Sequence, residues 1–397
     1  MNTVSKTLQR LSESATLAMS RRSRELAEEG IDVISLSLGE PDFNTPDFIK
    51  EAAKKAIDDN FTKYPPVNGY LSLREAICKK LLRDNNLQYS ANQIVVSTGA
   101  KQSIANTVMA LLSEGDECIL PTPYWVSYEE IVKITGATPV RINTEIDSDF
   151  KLTPAQLASA ITDKTRLLIY SSPCNPTGSA YSKEELEALA DVLKKHPNIL
   201  VISDEIYELI NFEGSNFSLA AIDGMHDRTI TINGVSKGFA MTGWRIGYLA
   251  APQWIANACS KMQGQITSAP CGIAQKAAEE AVLADPSVVS YMKDAFKERR
   301  NMVVERLKNI PGLVVNMPKG AFYVFPDVSA LFGKSHGDYT INTADDLCEY
   351  LLMDAHVALV TGAAFGADKY IRISYAASVE ILTEALNRIE KAINKLN

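Results

Sequence analysis

Short apolar runs rich in β-branched residues alternate with amphipathic stretches through the middle of the chain. The runs are QIVVS (93–97), ECILP (117–121), TPVRI (138–142), TRLLIYSS (165–172), NILVISDE (198–205), TITING (229–234) and WRIGYLA (244–250). Continuous apolar runs of this length suit strands buried on both faces, as in a parallel sheet covered by helices. The stretches between them read as those helices. KQSIANTVMALLSEG (101–115) is closed by Gly115, and SKEELEALADVLKKH (182–196) is opened by Ser182, with Glu185 three residues on as a capping box. The alternation predicts an α/β fold with a large domain built on a mainly parallel, seven-stranded sheet flanked by helices.

Past about residue 275 the pattern changes. A long helical stretch, PSVVSYMKDAFKERRNMVVERLKN (286–309), is followed by the short strand candidates GLVVNM (312–317), GAFYVFPDV (320–328), VALVTG (357–362) and YIRISYA (370–376), then by a closing helix. This reads as a smaller α+β domain. The expected division is 46–285 for the large domain and 286–397 for the small one, which the N-terminal segment 1–45 joins.

Composition narrows the partners. A chain of 397 residues exceeds what one core usually serves, and 46% apolar with 22% charged residues is a globular balance. Forty basic against 48 acidic residues leave a net charge of −8, with no dense basic block. Neither a nucleic acid nor a membrane surface is therefore expected, and an anionic partner would be small. The six cysteines (Cys78, Cys118, Cys174, Cys259, Cys271, Cys348) show no zinc-ligand spacing and read as buried free thiols in a reducing compartment. The N-terminal stretch is polar and amphipathic, without the apolar core of a signal peptide, so a cytoplasmic protein is expected.

In an open parallel sheet ligands bind beyond the carboxyl ends of the strands, so the residues standing there are informative. QIVVS runs into TGAKQ, a glycine turn that opens a helix and offers free N–H groups to an anion. LLIYSS runs into PCNPTG with Asn175, ILVIS into Asp204, Glu205 and Tyr207, and TITING into Ser236 and Lys237, with Arg245 shortly after. Taken singly, an Asp closing a strand is also a common N-cap, and Asn-Pro is an ordinary turn. Other chemistries lack their motifs: no G-x-G-x-x-G follows a strand, FGKS (332–335) has Val328 where a P-loop needs glycine, and there is neither G-x-S-x-G nor H-E-x-x-H. A lysine, a carboxylate, a phenol, an amide and a phosphate cradle together suit pyridoxal phosphate.

The same stretches resemble fold-type I pyridoxal-phosphate enzymes of the class I aminotransferases, most closely the bacterial aspartate aminotransferase subgroup. The resemblance rests on SLGEPDF (37–43), YPPVNGYLSLREAI (64–77), STGAKQ (97–102), PYWVSY (123–128), CNPTG (174–178), SDEIYE (203–208), VSKGFAMTGWRIGY (235–248) and RISYA (372–376), and spans nearly the whole chain. It implies that Lys237 anchors the cofactor covalently and carries the proton from the substrate Cα. It further implies that Asp204 pairs with the ring nitrogen and that Asn175 and Tyr207 bond the ring oxygen. Gly99, Ala100, Lys101, Ser236 and Arg245 would hold the phosphate, and Trp125 would stack on the ring. Arg372 would grip the substrate α-carboxylate beside the Gly39 backbone. Tyr64 would reach the phosphate of a neighbouring subunit, which implies a homodimer with shared sites.

Lys101 and Thr16 stand where the subgroup binds the side-chain carboxylate of aspartate. The resemblance thus implies ping-pong transamination of L-aspartate and 2-oxoglutarate to oxaloacetate and L-glutamate. Aromatic or prephenate specificity, a C–S β-lyase and a non-catalytic regulatory protein on the same scaffold are the alternatives. Cys174, Thr361, and Asn68 with Tyr70 depart from the common pattern, in places where specificity could shift.

Overall fold

The computed structural model of the chain describes residues 4–397, so the first three residues of the expected segment 1–45 lie outside it. Its centre is a seven-stranded sheet of β1 (Ile94–Ser97), β2 (Glu117–Thr122), β3 (Thr138–Asn143), β4 (Thr165–Ser171), β5 (Leu200–Asp204), β6 (Thr229–Gly234) and β7 (Gly247–Ala250). The spatial order is β1-β7-β6-β5-β4-β2-β3. Strands β2 to β6 pair in parallel, whereas β7 runs antiparallel to both neighbours. Reversal of β7 leaves β1 pointing the same way as β6. The carboxyl ends of β1, β2, β4, β5 and β6 and the amino end of β7 therefore share one edge.

The apolar runs form this sheet because successive side chains alternate between two buried faces. Ile119, Leu168 and Val201 pack with Leu186 and Leu189 on one face. Their chain neighbours Leu120, Ile169 and Ile202 pack with Ile104 and Ile255 on the other. Each such side chain contributes roughly 1.5–3 kcal/mol by leaving water. Ser182 caps helix Lys183–Leu193 through the expected box with Glu185. Helix Ala100–Leu111 stops short of the expected Gly115, because Leu112 turns extended and the glycine serves the turn that follows.

The C-terminal part carries a three-stranded antiparallel sheet of Val360–Thr361, Ile371–Ser374 and Tyr323–Val324, with helices Ser290–Lys308, Ala344–Asp354 and Val379–Ile393 around it. GLVVNM does not form a strand: it makes one isolated bridge, Val314 to Asp327. VALVTG is split, since Val357–Ala358 pairs instead with Ile34–Ser35 of the N-terminal segment. From there the segment passes across the site: the Leu36 carbonyl accepts from Ser374 N–H, Asp42 meets Arg299 through two bonds of 2.7 and 2.9 Å, and Thr45 Oγ1 donates to the Ala240 carbonyl at 2.7 Å. One packed cluster runs from Leu73 and Ile94 through Phe296 and Phe322 to Leu386, so both parts share buried apolar residues.

Among the described residues no helix is long and apolar enough to cross a membrane. Cys118, Cys259 and Cys348 are buried thiols as expected, but Cys271 is exposed ahead of helix Gly272–Leu283.

Candidate active site

The shared edge of the sheet opens into a cavity of about 360 Å³. Every strand of the sheet but β3 delivers part of its lining at that edge. Beyond β1, Gly99 starts helix Ala100–Leu111 with φ +79°, and Ala100 and Lys101 of its first turn line the cavity. First-turn N–H groups have no partner inside their own helix, which suits an anion there. Trp125 and Tyr128 follow β2, Asn175 follows β4, Asp204 ends β5 with Tyr207 after it, Ser236 and Lys237 follow β6, and Arg245 precedes β7. Thr16 and Gly39 come from the N-terminal segment, and Arg372 and Tyr323 from the small sheet.

Asp204 is buried, and burial pushes its carboxyl up to about 6. The Tyr128 hydroxyl, donating to Oδ2 at 2.6 Å, and the Ile206 N–H, donating to Oδ1 at 3.2 Å, hold it from rising further. Burial likewise brings the Lys237 amine down to about 8; Arg245 and Arg372 add to the fall, and Glu40 and Asp204 oppose it. Its Nζ donates to the Gly39 carbonyl at 2.5 Å. An amine so placed is far closer to its neutral, nucleophilic form than a solvated lysine. Burial raises the Tyr207 phenol well above its ordinary value, and its oxygen lies 2.8 Å from that of Tyr323.

Arg372 is 2% exposed, yet no carboxylate of the described residues pairs with it. Nη1 donates to Asn175 Oδ1 at 3.0 Å and Nη2 to the Ser37 carbonyl, while Nε has no partner among the described residues. The guanidinium lies over the rings of Tyr323 (4.6 Å to the centroid) and Phe365 (5.0 Å). A buried cation without a carboxylate partner, on a residue that lines the cavity, suits an incoming carboxylate.

Of the residues expected from sequence, Thr16, Gly39, Ala100, Lys101, Trp125, Asn175, Asp204, Tyr207, Ser236, Lys237, Arg245 and Arg372 all line this cavity. Gly99 borders it through Arg245: a Cβ on Gly99 would fall 2.9 Å from the Arg245 Cζ. Tyr64 is 98% exposed and is not among the lining residues. Lys237 follows the end of β6 as expected, three residues on, but one local expectation changes: the strand expected over 244–250 begins only at Gly247, because the exposed Arg245 takes a left-handed conformation (φ +58°). Its Nη1 donates to the Thr242 carbonyl at 3.0 Å. Thr361, Asn68 and Tyr70 do not line the cavity; Thr361 caps the turn after its strand, and Tyr70 packs edge-on against Phe61.

Sequence reasoning missed Tyr128 and Tyr323. Tyr128 was within reach, since it stands one helical turn from Trp125 in PYWVSY and the two rings meet edge to face at 5.5 Å. Tyr323 carried no such signal, lying inside a run that reads only as strand.

A phosphorylated aromatic aldehyde fits this lining. The cations and the helix start suit its phosphate, Asp204 a ring cation, Tyr207 and Asn175 a ring oxygen, and Lys237 the aldehyde. The backbone is drawn tight around the anion end: a Cβ on Gly247 would stand 2.7 Å from the Ala100 Cα, so only glycine lets β7 start against that helix.

Comparison with known proteins agrees. The family model "Aminotransferase class I and II" matches residues 31–389. An aspartate/prephenate aminotransferase of Cereibacter sphaeroides is 47% identical over 98% of both chains. The crystal structure of the Rhizobium meliloti aspartate aminotransferase superposes over 100% of both chains with a TM-score of 0.97 at 42% identity. The Thermus thermophilus aspartate aminotransferase with maleate does so over 99% of this chain and 100% of its own, with a TM-score of 0.93 at 39% identity. Fold, site chemistry and these likenesses converge: the chain belongs to the class I and II aminotransferases, which work with pyridoxal phosphate.

Proposed function

We propose that this aminotransferase moves the amino group of L-aspartate to 2-oxoglutarate, giving oxaloacetate and L-glutamate. The observation that carries the reading is the meeting of Lys237, Asp204, Tyr207 and Arg372 on one cavity, with Lys101 and Thr16 also lining it. Arg372 would bind the α-carboxylate, and Lys101 with Thr16 the second carboxylate of a dicarboxylic substrate. Lys101 Nζ lies 5.1 Å from the centre of the Trp125 ring, which keeps it beside the ring-binding part of the cavity. That the Thermus relative was solved with maleate, itself a dicarboxylate, supports this choice.

The cofactor, when bound, supplies a ring that withdraws the electron pair left at the substrate Cα. The chain's own residues do the rest. Asp204, as carboxylate, would hold a proton on the ring nitrogen; Tyr207 and Asn175 would donate to the ring oxygen; Ser236, Arg245 and the start of helix Ala100–Leu111 would fix the phosphate. Lys237 Nζ takes the proton from Cα. For this its neutral form is needed, which burial favours.

The test is a half-reaction panel on the cofactor-loaded protein with aspartate, glutamate, phenylalanine, tyrosine and alanine, following the near-visible absorption. Aspartate and glutamate are expected to react fastest. Faster phenylalanine would overturn the substrate assignment and favour the aromatic or prephenate specificity that the Cereibacter relative's name includes.

A second prediction concerns cofactor affinity against pH. Burial, by disfavouring its anion, pushes the Asp204 carboxyl up to about 6, and only the anion pairs with a ring cation. Below that pH the proton must first leave, so affinity falls as pH drops. Pyridoxine 5′-phosphate lacks the aldehyde and cannot react with Lys237, and because its phosphate also titrates at about 6, the Asp204 contribution is the difference from Asp204→Asn. The affinity of this ligand should decline through Asp204 by up to about tenfold per pH unit below 6. Asp204→Asn should flatten the profile, and an unchanged slope in that variant would remove Asp204 from the ring nitrogen.

The same reading places Tyr64 at the phosphate of a second subunit, since its ring is almost wholly exposed in the single chain. It keeps the division at 285/286, with the segment up to residue 45 tied to the small part through the Ile34–Val357 pairing. A cytoplasmic location goes with the free thiols.

A further inference from the structure

Tyr323 is the cavity residue with the most connections and no role so far. It lies on the small sheet opposite Ser374, so Arg372, two residues earlier on that strand, is its diagonal neighbour on the same face. Its ring carries the Arg372 guanidinium at 4.6 Å, and its hydroxyl lies 2.8 Å from that of Tyr207. A Cβ on Gly39 would occupy the place of that hydroxyl, so the glycine keeps the position open for it. The Tyr207 ring is held edge-on by Phe322 (5.4 Å) and Tyr323 (5.9 Å).

We propose that Tyr323 is a positioning residue that links the two recognition ends of the site, its hydroxyl donating to the Tyr207 oxygen while its ring face holds the Arg372 guanidinium. The inference rests on the roles given above to Tyr207 and Arg372. Its direction follows from proton counting. Two hydroxyls at 2.8 Å share one hydrogen bond, and a Tyr207 that gives its only proton to the cofactor's ring oxygen must accept from Tyr323. A donor that itself accepts a hydrogen bond is strengthened, the more so in a buried site. Tyr323 thus increases the pull of Tyr207 on the ring oxygen. Asp204, Lys237 and Arg372 face the same pair, and none of them offers an alternative donor to Tyr207 at hydrogen-bond distance.

The ring has a separate effect. A desolvated guanidinium over an aromatic face is held in place, so its fork meets the substrate carboxylate already oriented. Hydroxyl and ring can therefore be separated by substitution. Tyr323→Phe keeps the ring and fills the same space, whereas Tyr323→Leu removes both functions.

The experiment titrates the near-visible absorption of the cofactor-loaded proteins against pH and measures KM for aspartate. Tyr323→Phe is expected to raise the spectral midpoint by about half a pH unit or more, with KM changed by less than about twofold. Tyr323→Leu should show the same rise and in addition a KM increased roughly tenfold. An unmoved midpoint in Tyr323→Phe would overturn the link to Tyr207, and equal KM values in the two variants would overturn the link to Arg372. Absence of any cofactor-dependent band in the unaltered protein would instead bring down the reading of the site, a result distinguishable from both.

Discussion

Lys237→Ala is expected to lose transamination by about 10²- to 10⁴-fold from the lost general acid–base group alone, before counting the lost covalent capture of the cofactor. The near-visible absorption of the loaded protein should shift to that of free cofactor, and borohydride should no longer fix cofactor to the chain. The structure gives the reason. The amine sits within a mostly shielded pocket, tethered to the Gly39 carbonyl and flanked by the Tyr207 and Phe322 rings at about the same distance, 5.9 and 6.0 Å. Burial and the two arginines bring it to about 8 without removing its reach. No other lysine amine is described at that position; Lys101 lines the cavity from the helix start instead. Full turnover in Lys237→Ala would end the assignment.

Arg372→Leu is expected to lower kcat/KM for aspartate by about 10² to 10³-fold, with most of the loss in KM. Truncating a buried, hydrogen-bonded partner of a charge costs about 2–5 kcal/mol, and here the charge left without a partner would be the substrate carboxylate. Arg372→Lys should recover only a small part, because an ammonium cannot bond both oxygens of a carboxylate while also holding Asn175. Cofactor affinity should change little in either variant, since phosphate and ring are held elsewhere. A KM near that of the unaltered protein in Arg372→Leu would show that the α-carboxylate binds at another group.

Much of this was readable from sequence because the sheet's two buried faces force a pattern on the chain. Apolar runs had to end where the sheet ends, and the polar residues just past those ends had to share an edge. Asp204, Asn175, Lys237 and Ala100 were all placed in that way. Arg372 and Gly39 lie on other elements, and only the family resemblance pointed to them. What was not readable depends on contacts between segments far apart in sequence. Tyr323 meets Tyr207 and Arg372 across 116 and 49 positions of chain. In the small part GAFYVFPDV, VALVTG and YIRISYA do supply strands, but GLVVNM makes only one isolated bridge and VALVTG is split between two partners, because pairings two residues long leave too short a repeat to tell strand from coil. Arg245 was misjudged because a left-handed residue inside an apparent strand has no mark other than glycine or asparagine, and it is neither.

The N-terminal segment that crosses the site has a further consequence. Its Ser37 carbonyl accepts from Arg372 and its Gly39 carbonyl from Lys237, with a single residue, Leu38, between them. The same extended stretch thus touches both the cation proposed for the carboxylate and the amine proposed for the Cα proton. It acts as a gauge of fixed length, set at one end by strand pairing with Val357–Ala358 and at the other by Asp42 and Thr45. One residue added or removed between Ser37 and Gly39 would carry one of these carbonyls off its partner, so the length of this stretch, and not its side chains, decides whether the guanidinium and the amine are held at the same time.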